Sequence, residues 1–398
     1  MEKRRGQEGV LRDRFLLDPD VIFLNHGSFG ACPRPVFDVY QQWQRELERQ
    51  PVAFIGRRKK ELLAEARARL GEYVNADPGS LVYVPNATSG LNIVARSLAL
   101  EPGDEILTTD HEYGALNMTW QRVCAKSGAT YIQHPLPLPV GSPEDVVESF
   151  WSAVTPRTRV VFLSHVTSPT ALILPVAEIV CRARAAGILT IIDGAHAPGH
   201  VPLDLTALGA DVYAGNCHKW LCSAKGAGFL YVRPEHQDWV ESLIVSWGWL
   251  GDHTFVSRNE GQATRDPAAY LSVPAAIQFQ AENDWDAVRA RCHALATSVR
   301  DRIAELTGLP PIMVDDTPAW SWYGQMVACP IPPCDKQALH DRLWDDYRIE
   351  VPVGGYGDQT LIRVSIQGYN TEADLDALVS ALGALLPELA GRAAAGVA

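Results

Sequence analysis

Two apolar runs govern how this chain folds: VVFLSH at residues 160–165 and ILTIID at residues 188–193. Each is apolar at consecutive positions rather than at alternate ones. That is the pattern of a strand covered by helices on both faces, and hence of a parallel sheet. Outward from these runs, helical periodicity and short apolar stretches alternate from about residue 60 to 235. The pattern predicts helices over 37–50, 57–73, 88–100, 116–127 and 176–186, and strands over 105–109, 130–134, 160–164, 188–193, 211–214 and 228–233. Such alternation predicts an α/β fold, a doubly wound and mostly parallel sheet with ligands at the carboxyl ends of its strands.

After about residue 285 the texture changes to helices over 285–306 and 336–347 with strands over 322–328 and 360–365, a smaller α+β unit. The expected organisation is an N-terminal segment over 1–20, a large domain over 21–284 and a small C-terminal domain over 285–398. The biased tail ELAGRAAAGVA (388–398) is expected to fray.

Composition narrows the function classes. With 47% hydrophobic and 21% charged residues, the 398-residue chain can bury a sizeable core and is not a disordered sequence. A net charge of −12 argues against a nucleic acid or an anionic membrane as partner. The eight cysteines are scattered with no C-x-x-C pair, which speaks against a disulfide framework or a zinc site and for reduced, cytoplasmic thiols. The N-terminus has basic residues but no apolar core of a signal peptide, and no run approaches the roughly 18 apolar residues of a membrane span. The expectation is a soluble cytoplasmic protein without a metal.

Three stretches carry chemistry. In DVYAGNCHKWLCSAKGAGFLYVR (211–233) a strand runs into His218-Lys219, then a loop with Gly226 and Gly228, then another strand. A lysine at a strand end beside Trp220 and Leu221 is desolvated, which lowers its pKa as a Schiff-base amine requires. Alone, the same spacing also fits a solvated surface lysine. In ILTIIDGAHAPGH (188–200), Asp193 ends a buried strand, where a carboxylate can hold a heterocyclic nitrogen protonated; a loop cap or metal ligand fits the position equally. In VPNATSGLNIVARSL (84–98) a polar turn opens a helix, so free amides with Thr88 and Ser89 form either an anion cup or a plain N-cap.

Taken in order, with Lys219 following Asp193 by 26 residues, these stretches resemble the aminotransferase class V branch of fold-type-I pyridoxal-phosphate (PLP) enzymes. Within it the chain is similar to the isopenicillin N epimerase-like group. The segments FLNHGSFGACPRPVFD (23–38), RQPVAFIGRR (49–58), DHEYGALNMTWQ (110–121), SHVTSPTALILPV (164–176), TRDPAAYL (264–271) and IRVSIQGYNT (362–371) carry the likeness over nearly the whole chain.

The resemblance implies the fold-type-I PLP-dependent transferase fold and a role for each matching residue. Lys219 would hold PLP as a Schiff base and then act as acid and base at Cα. Asp193 would bind the pyridine nitrogen, with His196 at the ring's edge and Ser168 near the 3′-oxygen. Thr88, Ser89 and His218 would contact the phosphate, joined by Thr264 of a neighbouring subunit, which implies a homodimer with shared active sites. Ala263-Thr264 stands where the group commonly shows Gly-Thr, which weakens the expected backbone contact. Tyr113 or His111 would cover the ring. Arg363 would grip the substrate carboxylate. Asn25, His26 and Arg57 would line the mouth, although Arg57 with Arg58 also fits a solvated charged face.

Cysteine desulfurases of the branch need a cysteine shortly before that arginine; IEVPVGGYGDQTLIR (349–363) has none. The resemblance therefore implies inversion at Cα of an amino acid, with Lys219 on one face and Tyr113, His111 or water on the other. A C–S β-lyase acting on a cysteine conjugate or sulfoxide is the alternative. An aminotransferase comes third and a non-catalytic PLP-binding protein last. Trp247, Trp249, Phe255 and Tyr356 fit either a substrate pocket or a subunit interface.

Overall fold

The computed structural model describes residues 11–314 and 320–395. Residues 1–10 of the expected N-terminal segment and 396–398 of the biased tail lie outside the described residues. The strands run in chain order as β1 (Ile22–Phe23), β2 (Leu81–Val84), β3 (Glu105–Thr109), β4 (Thr130–His134), β5 (Thr158–Ser164) and β6 (Leu189–Gly194). They continue as β7 (Val212–Asn216), β8 (Gly228–Val232), β9 (Met326–Ile331), β10 (Ile349–Glu350), β11 (Val353–Tyr356) and β12 (Gln359–Ser365). The α/β fold expected from the sequence is the one observed, a seven-stranded sheet in the order β2-β8-β7-β6-β5-β3-β4.

The consecutive apolar residues of β5 and β6 feed two cores at once. Val161, Leu163 and Ile192 enter one core, while Val160, Phe162 and Ile191 enter the other with Leu91, Ile93 and Trp120. Because side chains alternate across a strand, only an unbroken apolar run can fill both faces. The sheet from β7 to β4 is parallel, whereas β8 runs antiparallel to both β7 and β2. β2, with all four residues buried, has no counterpart among the predicted strands. The helix Pro143–Trp151 is also new; its Ser142 and Asp145 form a reciprocal N-terminal cap.

In the C-terminal part a three-stranded antiparallel sheet, β11-β12-β9, packs against the long helix Trp285–Thr307. The predicted strand over 322–328 lies further along, at Met326–Ile331, in register with β12 so that Ala328 faces Arg363. β1 pairs in parallel with β10, which ties the chain's entry to its C-terminal part. Among the described residues no helix is long and apolar enough to cross a membrane.

Phe162 is fully buried between the parallel strands and Trp120, with ring centroids 5.3 Å apart. Phe162→Ala is expected to lower stability by about 3–5 kcal/mol, read as a lower midpoint in chemical unfolding.

Candidate active site

A cavity of about 420 Å³ opens at the carboxyl ends of β5, β6 and β7, where a doubly wound sheet presents its ligand site. Asp193, Lys219, His196, His218, Thr88, Ser168, Tyr113 and Arg363 all line it. Asp193 is the penultimate residue of β6 and is almost wholly buried. One of its oxygens accepts the Ala195 N–H at 2.9 Å. Burial pushes its carboxyl above the ordinary range; the Ala195 amide and the Lys219 cation pull it back.

Lys219 follows β7 in a tight turn. Burial lowers its ammonium pKa, the Arg363 cation lowers it further, and the Asp193 anion opposes both. Its Nζ lies 3.0 Å from His196 Nε2. The Trp220 indole, a donor only, gives its N–H to His196 Nδ1 at 3.2 Å. Burial foremost, then the Lys219 and Arg363 cations, hold His196 far below its usual pKa, so it is neutral. With Nδ1 accepting, a neutral imidazole carries its hydrogen on Nε2 and donates it to an unprotonated Lys219. The arrangement selects the nucleophilic amine.

At the other end of the cavity the helix Ala87–Ser97 begins. Asn86 Oδ1 takes the Ser89 N–H at 2.8 Å and Asn216 Oδ1 takes the Ala87 N–H at 2.8 Å, which leaves the Thr88 amide and hydroxyl for an anion. Ser89 itself is absent from the cavity lining. His218 Nδ1 is spent on the Ala227 carbonyl at 2.9 Å. Gly228 lets β8 pass this turn, since a Cβ there would meet Gly215 O at 2.8 Å and Asn86 Cα at 3.0 Å. A helix N-terminus for a phosphate, a buried carboxylate for a ring nitrogen and a desolvated amine for an aldehyde match the three functional parts of PLP.

Arg363 on β12 reaches the same cavity. Its NH1 donates to Ser168 O at 2.5 Å and Ser168 Oγ at 3.1 Å, and NH2 to Ser28 Oγ at 3.2 Å, while Nε is buried without a partner. Burial lowers its pKa to about 10, with Tyr113 opposing. A buried guanidinium held only by neutral oxygens is a site for a carboxylate.

Several residues lie elsewhere than the sequence suggested. His111 is fully buried with both ring nitrogens engaged, at 2.7 Å from Thr170 Oγ1 and 2.9 Å from Leu136 O, and packs on Tyr356. It does not line the cavity, whereas the half-exposed Tyr113 does. His26 lies behind the cavity, fully buried, with Nε2 at 3.0 Å from the Lys219 carbonyl and Nδ1 at 2.9 Å from Tyr369 Oη. Asn25 donates to Glu350 Oε1 at 2.9 Å and accepts from Ser28 Oγ at 2.5 Å, and it is the following Gly27, Ser28 and Phe29 that line the cavity. Arg57 and Thr264 are exposed and outside the cavity of their own chain. Of the four aromatics, Phe255 is buried, Trp247 is exposed, and none lines the cavity. Ser164 and Asn216 were not anticipated; both sit at strand ends, the position that already pointed to Asp193.

The profile of the family Aminotransferase class-V matches residues 30–378. The chain belongs to that family. It is similar to isopenicillin N epimerase of Amycolatopsis lactamdurans, 41% identical over 389 residues, covering 93% of this chain and 96% of the relative. Isopenicillin N epimerase of Streptomyces clavuligerus is 38% identical over 392 residues, covering 95% and 98%. A putative L-cysteine desulfhydrase 1 of Oryza sativa subsp. japonica is 28% identical, covering 92% and 84%. Among solved structures, C-DES with glycine covalently linked to its PLP cofactor superposes with a TM-score of 0.81 at 24% identity, covering 92% of this chain and 96% of that one. The fold is that of the fold-type-I PLP enzymes, and the cofactor of this class V enzyme is pyridoxal 5′-phosphate.

Borohydride reduction followed by peptide mass spectrometry is expected to find the cofactor on Lys219 in the native protein. In Lys219→Ala the label should disappear.

Proposed function

We propose that this enzyme inverts the configuration at Cα of an amino acid or amino-acid side arm, as an epimerase of the isopenicillin N epimerase kind. The observation that carries the reading is similarity at 41% identity along 93% of the chain, joined to a cavity in which Arg363 and Lys219 converge. When bound, PLP supplies an electron sink that weakens the Cα–H bond of the substrate.

The chain's own residues do the rest. Arg363 fixes the substrate carboxylate on a strand of the C-terminal sheet, which orients Cα toward Lys219. Lys219, kept unprotonated at rest by burial and by His196, takes or returns the Cα proton on its face. Tyr113, or water admitted past its half-exposed ring, serves the opposite face. Asp193 would hold the ring nitrogen, and the Thr88 turn with His218 would hold the phosphate.

The enzyme is proposed to work as a cytoplasmic homodimer with a shared cavity. Phe29 at the cavity rim is 72% exposed and Trp247 is 78% exposed, each an exposed aromatic of the kind a second copy covers. The exposed Thr264, next to Ala263 at φ 71°, is then free to meet the partner's phosphate site. All eight cysteines are free thiols, in keeping with a reducing compartment.

The second reading, a C–S β-lyase, is favoured by the desulfhydrase relatives and requires only Lys219 and a leaving group at Cβ. A persulfide-forming desulfurase is not proposed, because the segment through β11 to Arg363 contains no cysteine and the neighbouring Cys217 and Cys222 are fully buried thiols.

Turnover of amino acids in deuterated water is expected to place deuterium at Cα with inversion. Exchange with full retention would defeat the epimerase reading, and pyruvate released from S-substituted cysteines would install the lyase instead. Arg363→Lys is expected to raise KM about 10- to 100-fold with a smaller change in kcat, the cost of about 1.5–3 kcal/mol for lost charged hydrogen bonds, checked by steady-state kinetics.

A further inference from the structure

Glu112 is only 4% exposed, sits directly behind the cavity, and has no task in the chemistry above. Thr109 Oγ1 donates to its Oε1 at 2.7 Å, and the Ser164 amide and hydroxyl donate to its Oε2 at 2.9 Å and 2.5 Å. Among the described residues no cation forms an ion pair with it. Ser164 itself lines the cavity at the end of β5, in direct register with Asp193 on β6. One hydroxyl therefore separates the Glu112 carboxylate from the cavity floor beside Asp193.

A serine hydroxyl has a single hydrogen to give. While Glu112 is ionised it can only accept, so it claims that hydrogen and Ser164 turns lone pairs toward the cavity. Once Glu112 takes up a proton, the acid can donate to Ser164 Oγ and the serine hydrogen is released to point inward. We propose that Glu112, acting through the Ser164 hydroxyl, is a positioning residue that sets whether the cavity floor beside Asp193 offers the cofactor ring a hydrogen-bond donor or an acceptor. The proposal rests on the cofactor and its site, and holds for either reaction at Cα.

The switch operates at neutral pH. Burial pushes Glu112 up to about 7 and the Asp193 anion adds to the rise, while the Ser164 and Thr109 donors restrain it. The titratable groups around it are Asp193 on β6, Tyr131 on β4, His165 beside Ser164, and Asp110 and His111 on its own loop. Burial lowers His165 to about 4, lowers His111 and raises Tyr131, so these three stay neutral when Glu112 titrates. For stability the sign follows from the raised pKa. Ionising the acid costs more in the folded chain than in the unfolded one, so stability falls as pH rises from the ordinary carboxylate range to about 7.

The test titrates the holoenzyme and reads two quantities, cofactor absorbance and Tm. Native protein is expected to show an absorbance step centred near 7 and a Tm that falls as pH rises from the ordinary carboxylate range and levels off near 7. Glu112→Gln, whose amide oxygen still accepts from Ser164 but cannot change charge, should lose both the absorbance step and that fall in Tm. Ser164→Ala should keep the fall in Tm and lose the absorbance step. A Glu112→Gln protein that retains the native absorbance titration overturns the proposal and leaves Glu112 a purely structural acid. So does a Ser164→Ala protein that retains the absorbance step, and that variant decides alone where Glu112→Gln fails to fold. Finding neither inversion nor elimination would defeat the proposed reaction without altering these titrations.

Discussion

The burial of the Lys219 amine beside a neutral His196 is the interaction on which the rest of the site depends. An ammonium in that position would be stranded in a low-dielectric pocket with the Arg363 cation also inside the cavity. The protein relieves this by neutralising the amine rather than by surrounding it with acids. Trp220 takes part at one remove, because its donor-only indole spends His196 Nδ1 and turns the Nε2 hydrogen toward the lysine. Asp193 supplies a nearby anion, and it too is raised by burial, so lysine and aspartate meet with their proton affinities drawn together. Such tuning is characteristic of groups that must exchange protons near neutral pH.

Around this centre the fold does two mechanical jobs. The parallel sheet delivers Ser164, Asp193 and Asn216 to one edge, because strands of matched direction end on the same side. The C-terminal antiparallel sheet delivers Arg363, and the N-terminal turn braces the two against each other. His26 holds the carbonyl of Lys219, while Ser28 holds the guanidinium of Arg363. Gly27 makes this bracing sterically feasible, for a Cβ there would come within 2.7 Å of Met326 Sδ and 2.8 Å of Ser365 Oγ. The turn at residues 25–28 therefore links Lys219 to Arg363.

Much of the fold was legible along the chain. The strands at Glu105–Thr109 and Thr130–His134 fall at their predicted bounds, although β3 is buried throughout while β4 is the partly exposed edge strand of the sheet. The short β2 was not legible, because four apolar residues following a Pro-Gly turn have no length or period to distinguish them. Nor was the shift of β9 to Met326–Ile331, which is set by pairing with β12 some 30 residues later.

The sequence by itself put Asp193 at the end of a buried strand and Lys219 just past another, and its resemblance to class V enzymes implied what those two residues would anchor. Strand ends are local features, readable from where an apolar run meets a glycine-containing turn. Only the tertiary structure decided that His111 spends both nitrogens on Thr170 and Leu136, that His26 supports Lys219 from behind, and that Ser28 rather than Asn25 reaches the cavity. Glu112 became visible the same way, through a serine 52 residues away. Hydrogen-bond partners across such separations depend on how the strands pack, and no local pattern records them.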